Sequence, residues 1–167
     1  IIFKQPTIDA LKQCKNKCIF CFVDQLPHNM RKTLYVKDDD YRLSFLHGNF
    51  ITFTNLSEQD VDRILQYNLS PIYVSIHATN PGIRKKMLQN KKANDIVPIL
   101  KKMAYAGIKI HGQIVLCPDI NDKAYLDQTI SELSVLYPNL ESVAIVPVGL
   151  TEYRRNLYPL KPFNQQT

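Results

Sequence analysis

With 167 residues, 45% of them hydrophobic and 22% charged, the chain is long enough for one domain with a real core. No apolar run approaches the length of a membrane span and no signal peptide opens the sequence, which argues against a membrane or secreted protein. The net charge of +6 and pI of about 9.1 keep an anionic partner such as nucleic acid open. The basic positions Arg84, Lys85, Lys86, Lys91, Lys92, Lys101 and Lys102 have no interleaved aromatics, however, and read as solvated helix surface. Ile1 stands in place of Met and the chain closes on the polar string Asn164-Gln165-Gln166-Thr167, so we expect an excerpt of something longer.

In chain order, Ile8 to Gln13 reads as a short strand delivering the chain into Cys14. From Cys14 to about Arg31 runs a long loop broken by Pro27 and Asn29, and long loops inside a compact domain usually carry function. Asp38-Asp39-Asp40 reads as a solvated turn, with a cation or substrate-amine site, counter-charged by Arg42, as the alternative. Leu43 to Thr54 is rich in β-branched and aromatic residues and predicts a strand bent at Gly48. Ser57 caps a helix, Asp60 completes an acidic capping box, and Leu56 and Val61 are placed for a hydrophobic staple. Pro71 opens a strand from Ile72 to His77.

Thr79-Asn80-Pro81 starts a short helix, and a second starts near Asn94, accepts Pro98 in its first turn and ends at Gly107. Ile108 to Leu116 is a strand, Asp122 begins a helix closed by Pro138, and Ser142 to Val148 is the last strand. This alternation argues for an α/β fold of parallel strands with right-handed helical crossovers. Counting the strand before Cys14 gives five βα-type strands, compatible with an open sheet or a partial barrel. In either, ligands gather at the carboxyl ends of the strands. Residues 1–150 read as the core, and 151–167 as a linker or the start of a further domain.

Three of the four cysteines, Cys14, Cys18 and Cys21, fall at the spacing C-x3-C-x2-C. Three thiolates so close together hold a metal centre but leave it one ligand short. A structural zinc site wants four protein ligands; a cubane iron–sulfur cluster has four irons, so three cysteines leave one iron open. Zinc completed by His28, in a non-catalytic module, is the alternative reading. Clustering without any secretory signal argues against disulfides.

The strand faces carry a second signal. Tyr73, Ser75 and His77 share one face of their strand, and His111, Gln113 and Val115 share one face of the next. A parallel strand buried on both sides should be nearly all apolar. Ser75, His77, His111 and Gln113 break that rule together, and we infer that they line a cavity reached from the cysteine loop. Cys117 reads as a core or rim thiol.

The cysteine spacing, with Phe20 before the last cysteine, resembles the signature of the radical S-adenosylmethionine (radical SAM) superfamily. The blocks Lys37 to Phe45, Gly48 to Thr52, Leu69 to Thr79, Gln113 to Pro118 and Val146 to Thr151 extend it. Together they resemble a bacterial radical SAM family with a PDZ-like N-terminal domain and a C-terminal domain of unknown function. The resemblance implies a partial (β/α) barrel of about five to six parallel strands with outer helices. It implies a 4Fe-4S cluster on Cys14, Cys18 and Cys21, with S-adenosylmethionine chelating the fourth iron. Reductive cleavage of the cofactor then yields a 5′-deoxyadenosyl radical, acting on RNA, peptide or protein.

By the same resemblance, the Phe20 backbone lies against adenine, and Thr54 or Asn55 stands where the family carries a Gly-Gly-Glu type segment toward the cofactor's amino group. Ser75 and His77 approach the ribose and carboxylate, Gln113 faces the cofactor, and the Val146 to Gly149 edge, with Val148, packs on adenine. A flavodoxin or ferredoxin as electron donor and an oxygen-poor, reducing cytoplasm are implied as well.

Overall fold

In this computed structural model, residues 10–93 and 95–164 are described. The first helix, α1 (Tyr41–His47), begins at Asp40, whose carboxylate accepts the Arg42 backbone N–H, and ends at Gly48. Gly48 sits at φ 74°, in the left-handed region that glycine adopts without a Cβ penalty. The strand expected over Leu43 to Thr54 is therefore replaced by a helix and a short extended stub. In that stub only Ile51 bridges, in parallel, to Val74. The reason is local: a cap on each side of seven residues outweighs β propensity, which depends more on context.

Helix α2 (Glu58–Gln66) carries both halves of the expected capping box. Ser57 Oγ accepts from the Asp60 N–H at 3.2 Å, and the Asp60 carboxylate accepts from the Ser57 N–H at 2.8 Å. Strand β1 (Ile72–Ser75) follows, then α3 (Pro81–Leu88), whose first N–H groups bond to the Asn80 side chain. Helix α4 (Val97–Tyr105) has Pro98 in its first turn; Asn94, the expected starting point, lies outside the described residues. Strand β2 (Ile110–Leu116), helix α5 (Ala124–Ser134) and strand β3 (Leu140–Pro147) complete the order.

The sheet is parallel throughout, in the order β1-β2-β3. Among the described residues it has three strands, fewer than the five to six expected. One missing strand became α1. Of the other, Ile8 and Asp9 lie outside the described residues, and over 10–13 only Gln13 makes an isolated antiparallel bridge, to Asp38. The parallel βαβ alternation itself is as the sequence predicts.

Two clusters of apolar side chains hold the fold. The larger joins Ile72, Val74 and Ile76 to Ile64 of α2, Leu100 and Met103 of α4, and Leu133 of α5. Each fully buried isoleucine or leucine there contributes roughly 1.5–3 kcal/mol. The smaller gathers Ile19 of the cysteine loop with Met87, Cys117, Ile120 and Val148. Cys117 is thus a core thiol, and burial pushes its pKa up to about 12.

Candidate functional site

The cysteine loop is built onto the end of α3. Lys17 N–H donates to the Leu88 carbonyl at 3.0 Å and Ile19 N–H to the Met87 carbonyl at 2.9 Å. Carbonyls left without partners at a helix C-terminus are satisfied in this way by the loop, which is fixed in return. On its other flank, Cys14 N–H donates to the Lys37 carbonyl at 2.9 Å. Gln25, buried under the loop, donates from Nε2 to the Phe20 and Cys21 carbonyls, both at 3.3 Å. Thr151 Oγ1 donates to the Gln25 carbonyl at 2.8 Å and Arg154 to the Ile19 carbonyl at 3.3 Å. Thr151 and Arg154, in the stretch read as a linker or the start of a further domain, therefore pack back on the loop.

Cys14, Cys18 and Cys21 open on one cavity of about 620 Å³, together with Phe20, Ser75, His77, Gln113, Val115, Val146 and Gly149. This is the carboxyl end of the sheet, where parallel strands bind ligands. Register explains the grouping: Ser75 lies beside Gln113, and Val115 beside Val146. Phe20 packs on His77 with ring centroids 4.6 Å apart. Burial, reinforced by the Arg84 charge, lowers the His77 pKa from 6.5 to about 3, so the imidazole is neutral. Its Nδ1 accepts the Val115 N–H at 3.1 Å, which puts the ring proton on Nε2.

Other sequence-predicted residues lie elsewhere. His111, expected in the cavity, stands at the start of β2, the opposite end of the strand. It stacks on Tyr73 at 4.8 Å and bonds Ser142 Oγ at 2.8 Å. Thr54 is buried in a hydrogen-bond network behind the cavity wall, and Asn55 approaches the Gln13 carbonyl at 3.5 Å; neither lines the cavity. Val148 is in the smaller core while its neighbours Pro147 and Gly149 line the site. His28 is exposed and lines a separate depression with Asp24, Glu152 and Tyr153, away from the three thiols.

Two features run against the sequence reading. Asp39 and Asp40, taken as a solvated turn, are buried. Asp39 accepts from Thr52 N–H at 2.6 Å and Thr52 Oγ1 at 2.7 Å; burial nevertheless holds its carboxyl above the usual range. Arg84, taken as solvated, is only 2% exposed. Its guanidinium donates to the carbonyls of Ile76 at 3.1 Å, Thr52 at 2.6 Å and Ser75 at 3.4 Å. The signal for Arg84 lay in helical spacing: buried Met87 and Leu88 follow at three and four residues, on the same face. Lys37, Asp38, Asn49 and Phe50 are also at the cavity; their sequence signal was membership of the blocks Lys37 to Phe45 and Gly48 to Thr52, and for Asp38 the alternative reading of the aspartate run as a cation or substrate-amine site. Burial opposes the Lys37 charge, but Asp24 at 2.6 Å and the Cys21 thiolate outweigh it and raise its pKa.

The thiols fit a multi-iron centre. Burial raises the Cys18 pKa, and repulsion from Cys14 and Cys21 raises it further. A cationic centre relieves both penalties, because a bound metal inverts the local preference for protonated thiols. Among the described residues, no three Cys, His, Asp or Glu side chains converge to hold a single metal ion. A multi-iron cluster would ask for a looser gathering than a single ion, because Cys14, Cys18 and Cys21 would each hold a different iron.

A crystal structure of a radical SAM methyltransferase from Sphaerobacter thermophilus aligns with TM-score 0.46 and 20% identity, over 70% of this chain and 34% of that one. The chain thus spans about a third of that neighbour's length. No curated protein sequence matches. A model of the radical SAM-like domain matches residues 1–143, from before the cysteine loop to within β3. Loop, sheet and sequence match together make this chain a member of the radical SAM-like domain family.

Proposed function

We propose that the chain is the core of a radical SAM enzyme in which Cys14, Cys18 and Cys21 hold a 4Fe-4S cluster. The observation that carries this reading is the shared cavity: among the described residues three cysteines, and no fourth, open on it, facing Phe20, Ser75, His77 and Gln113. When bound, the cluster and S-adenosylmethionine supply one-electron cleavage of the sulfonium and a 5′-deoxyadenosyl radical that abstracts a substrate hydrogen. The chain's own residues bind, orient and exclude water. His77 presents a neutral Nε2–H donor, and Ser75 and Gln113 offer further polar groups at adjoining strand ends. Phe20, Val115 and Val146 provide the apolar wall for an adenine ring.

A flavodoxin or ferredoxin would deliver the electron, and a modified peptide, protein or RNA is the substrate class. The sequence blocks resemble the PDZ-linked branch of the superfamily, and that resemblance favours a peptide partner. The zinc-module reading loses its fourth ligand, because His28 is at a different depression. The test is anaerobic reconstitution followed by iron and sulfide analysis and an assay for 5′-deoxyadenosine. The proposal expects about four irons per chain and cofactor-dependent nucleoside release. Replacing any of Cys14, Cys18 or Cys21 by Ala abolishes both. A protein that takes up zinc instead, or retains its metal after the three cysteines are replaced, contradicts it.

A further inference from the structure

Behind the cysteine loop lies a closed polar network centred on Asn16, which is only 4% exposed. Its Nδ2 donates to Thr52 Oγ1 at 2.9 Å and to Cys14 Sγ at 3.4 Å. Its Oδ1 accepts from Thr54 Oγ1 at 3.1 Å and from Asn90 Nδ2 at 2.6 Å. Both donors and both acceptor sites of the carboxamide are therefore used, which leaves its orientation no freedom. A flipped amide would set its oxygen against the Cys14 sulfur and its NH2 against the Asn90 donor.

The network ends on Asp39, an acceptor that orients the Thr52 hydroxyl. Thr52 Oγ1 donates to Asp39 Oδ2 at 2.7 Å, so it must accept from Asn16. The Thr52 backbone is held by Asp39 on its N–H and by Arg84 on its carbonyl. Asn90 reaches in from beyond the end of α3, 74 residues along the chain. Three separate parts of the chain thus converge to aim one N–H at one cysteine sulfur.

We propose that Asn16 is a positioning residue for the cluster: its carboxamide, locked by Thr52, Thr54 and Asn90, donates to the Cys14 sulfur and sets that thiolate's orientation and electron density. The inference rests on the cluster reading above. A hydrogen bond to a ligating sulfur stabilises the more negative, reduced cluster and so raises its potential. Electron acceptance by the site is then coupled to a network that extends to Asp39 and α3.

The test is the midpoint potential of the reconstituted cluster in the full-length protein, measured beside thermal stability for the wild type, Asn16→Leu and Asn90→Leu. Asn16→Leu is expected to shift the reduced-to-oxidised ratio at fixed poise toward oxidised by about three- to tenfold; tenfold corresponds to about 59 mV for one electron. Asn90→Leu touches no cysteine and is expected to give a smaller shift of the same sign. A merely structural Asn16 would lower stability and leave the potential unmoved, and that result overturns the inference. If Asn16→Leu does not fold, Asn90→Leu and Thr52→Val decide, and wild-type potentials in both overturn it. A wild type that holds no cluster defeats the cluster reading together with this one, whereas an intact cluster with unmoved variants defeats this one alone.

Discussion

At His77, burial keeps the imidazole neutral to a pKa of about 3, whereas the free side chain titrates near 6.5. Between those values the unfolded chain binds a proton that the folded chain refuses. His77 therefore favours folding fully above about pH 6.5 and progressively less as the pH falls toward 3. We predict that denaturation midpoints measured from neutral to acid pH fall, and that His77→Gln flattens the fall; an equal slope in the variant would assign the acid loss elsewhere. Arg84 makes a second prediction at this scale. Arg84→Met removes a donor from the carbonyls of Thr52, Ser75 and Ile76, of which Ile76 keeps the Ala78 N–H, and is expected to cost about 2–4 kcal/mol in urea unfolding. Such residues were partly legible in the sequence. Ser75, His77 and Gln113 announced themselves as polar residues on strands that should be apolar. Asp39 and Arg84 did not, because a charge run in a sequence looks solvated until its long-range partners are known.

Among elements, capped helices were legible and unpaired strands were not. Ser57 with Asp60, and Asn80 with Pro81, are local signals whose partners lie within a turn, and both helices form where they predict. The segment after Asp40 shows the converse, since its β-branched and aromatic content suggested a strand and its caps made a helix. Gly48 is the pivot. Its φ of 74° strains any L side chain, and an added Cβ would meet the Tyr73 ring at an ordinary 3.5 Å. Gly48→Ala is thus expected to cost about 1 kcal/mol from the backbone alone, read as a lowered thermal midpoint with α1 retained by circular dichroism. A loss several times larger would mean that the Tyr73 contact, not the backbone, sets the requirement.

Over the whole molecule, one end of a parallel sheet and a loop caught by α3 line the cysteine cavity, and a returning C-terminal stretch braces the loop. The sequence showed the sheet and the loop, because periodicity and cysteine spacing are local. It did not show the returning stretch, whose hold depends on Thr151 meeting Gln25 and on Arg154 meeting Ile19, contacts spanning 126 and 135 residues. The account predicts that Thr151→Val, which removes the bond to the Gln25 carbonyl, loosens the loop and speeds iron loss to a chelator several-fold, by about 1 kcal/mol of lost hydrogen bonding. The central claim is met most directly by electron paramagnetic resonance of the reduced, reconstituted protein before and after adding S-adenosylmethionine. A 4Fe-4S signal that changes on addition is the expected result, since an iron without a protein ligand is open to the cofactor. A cluster signal indifferent to the cofactor would contradict the account.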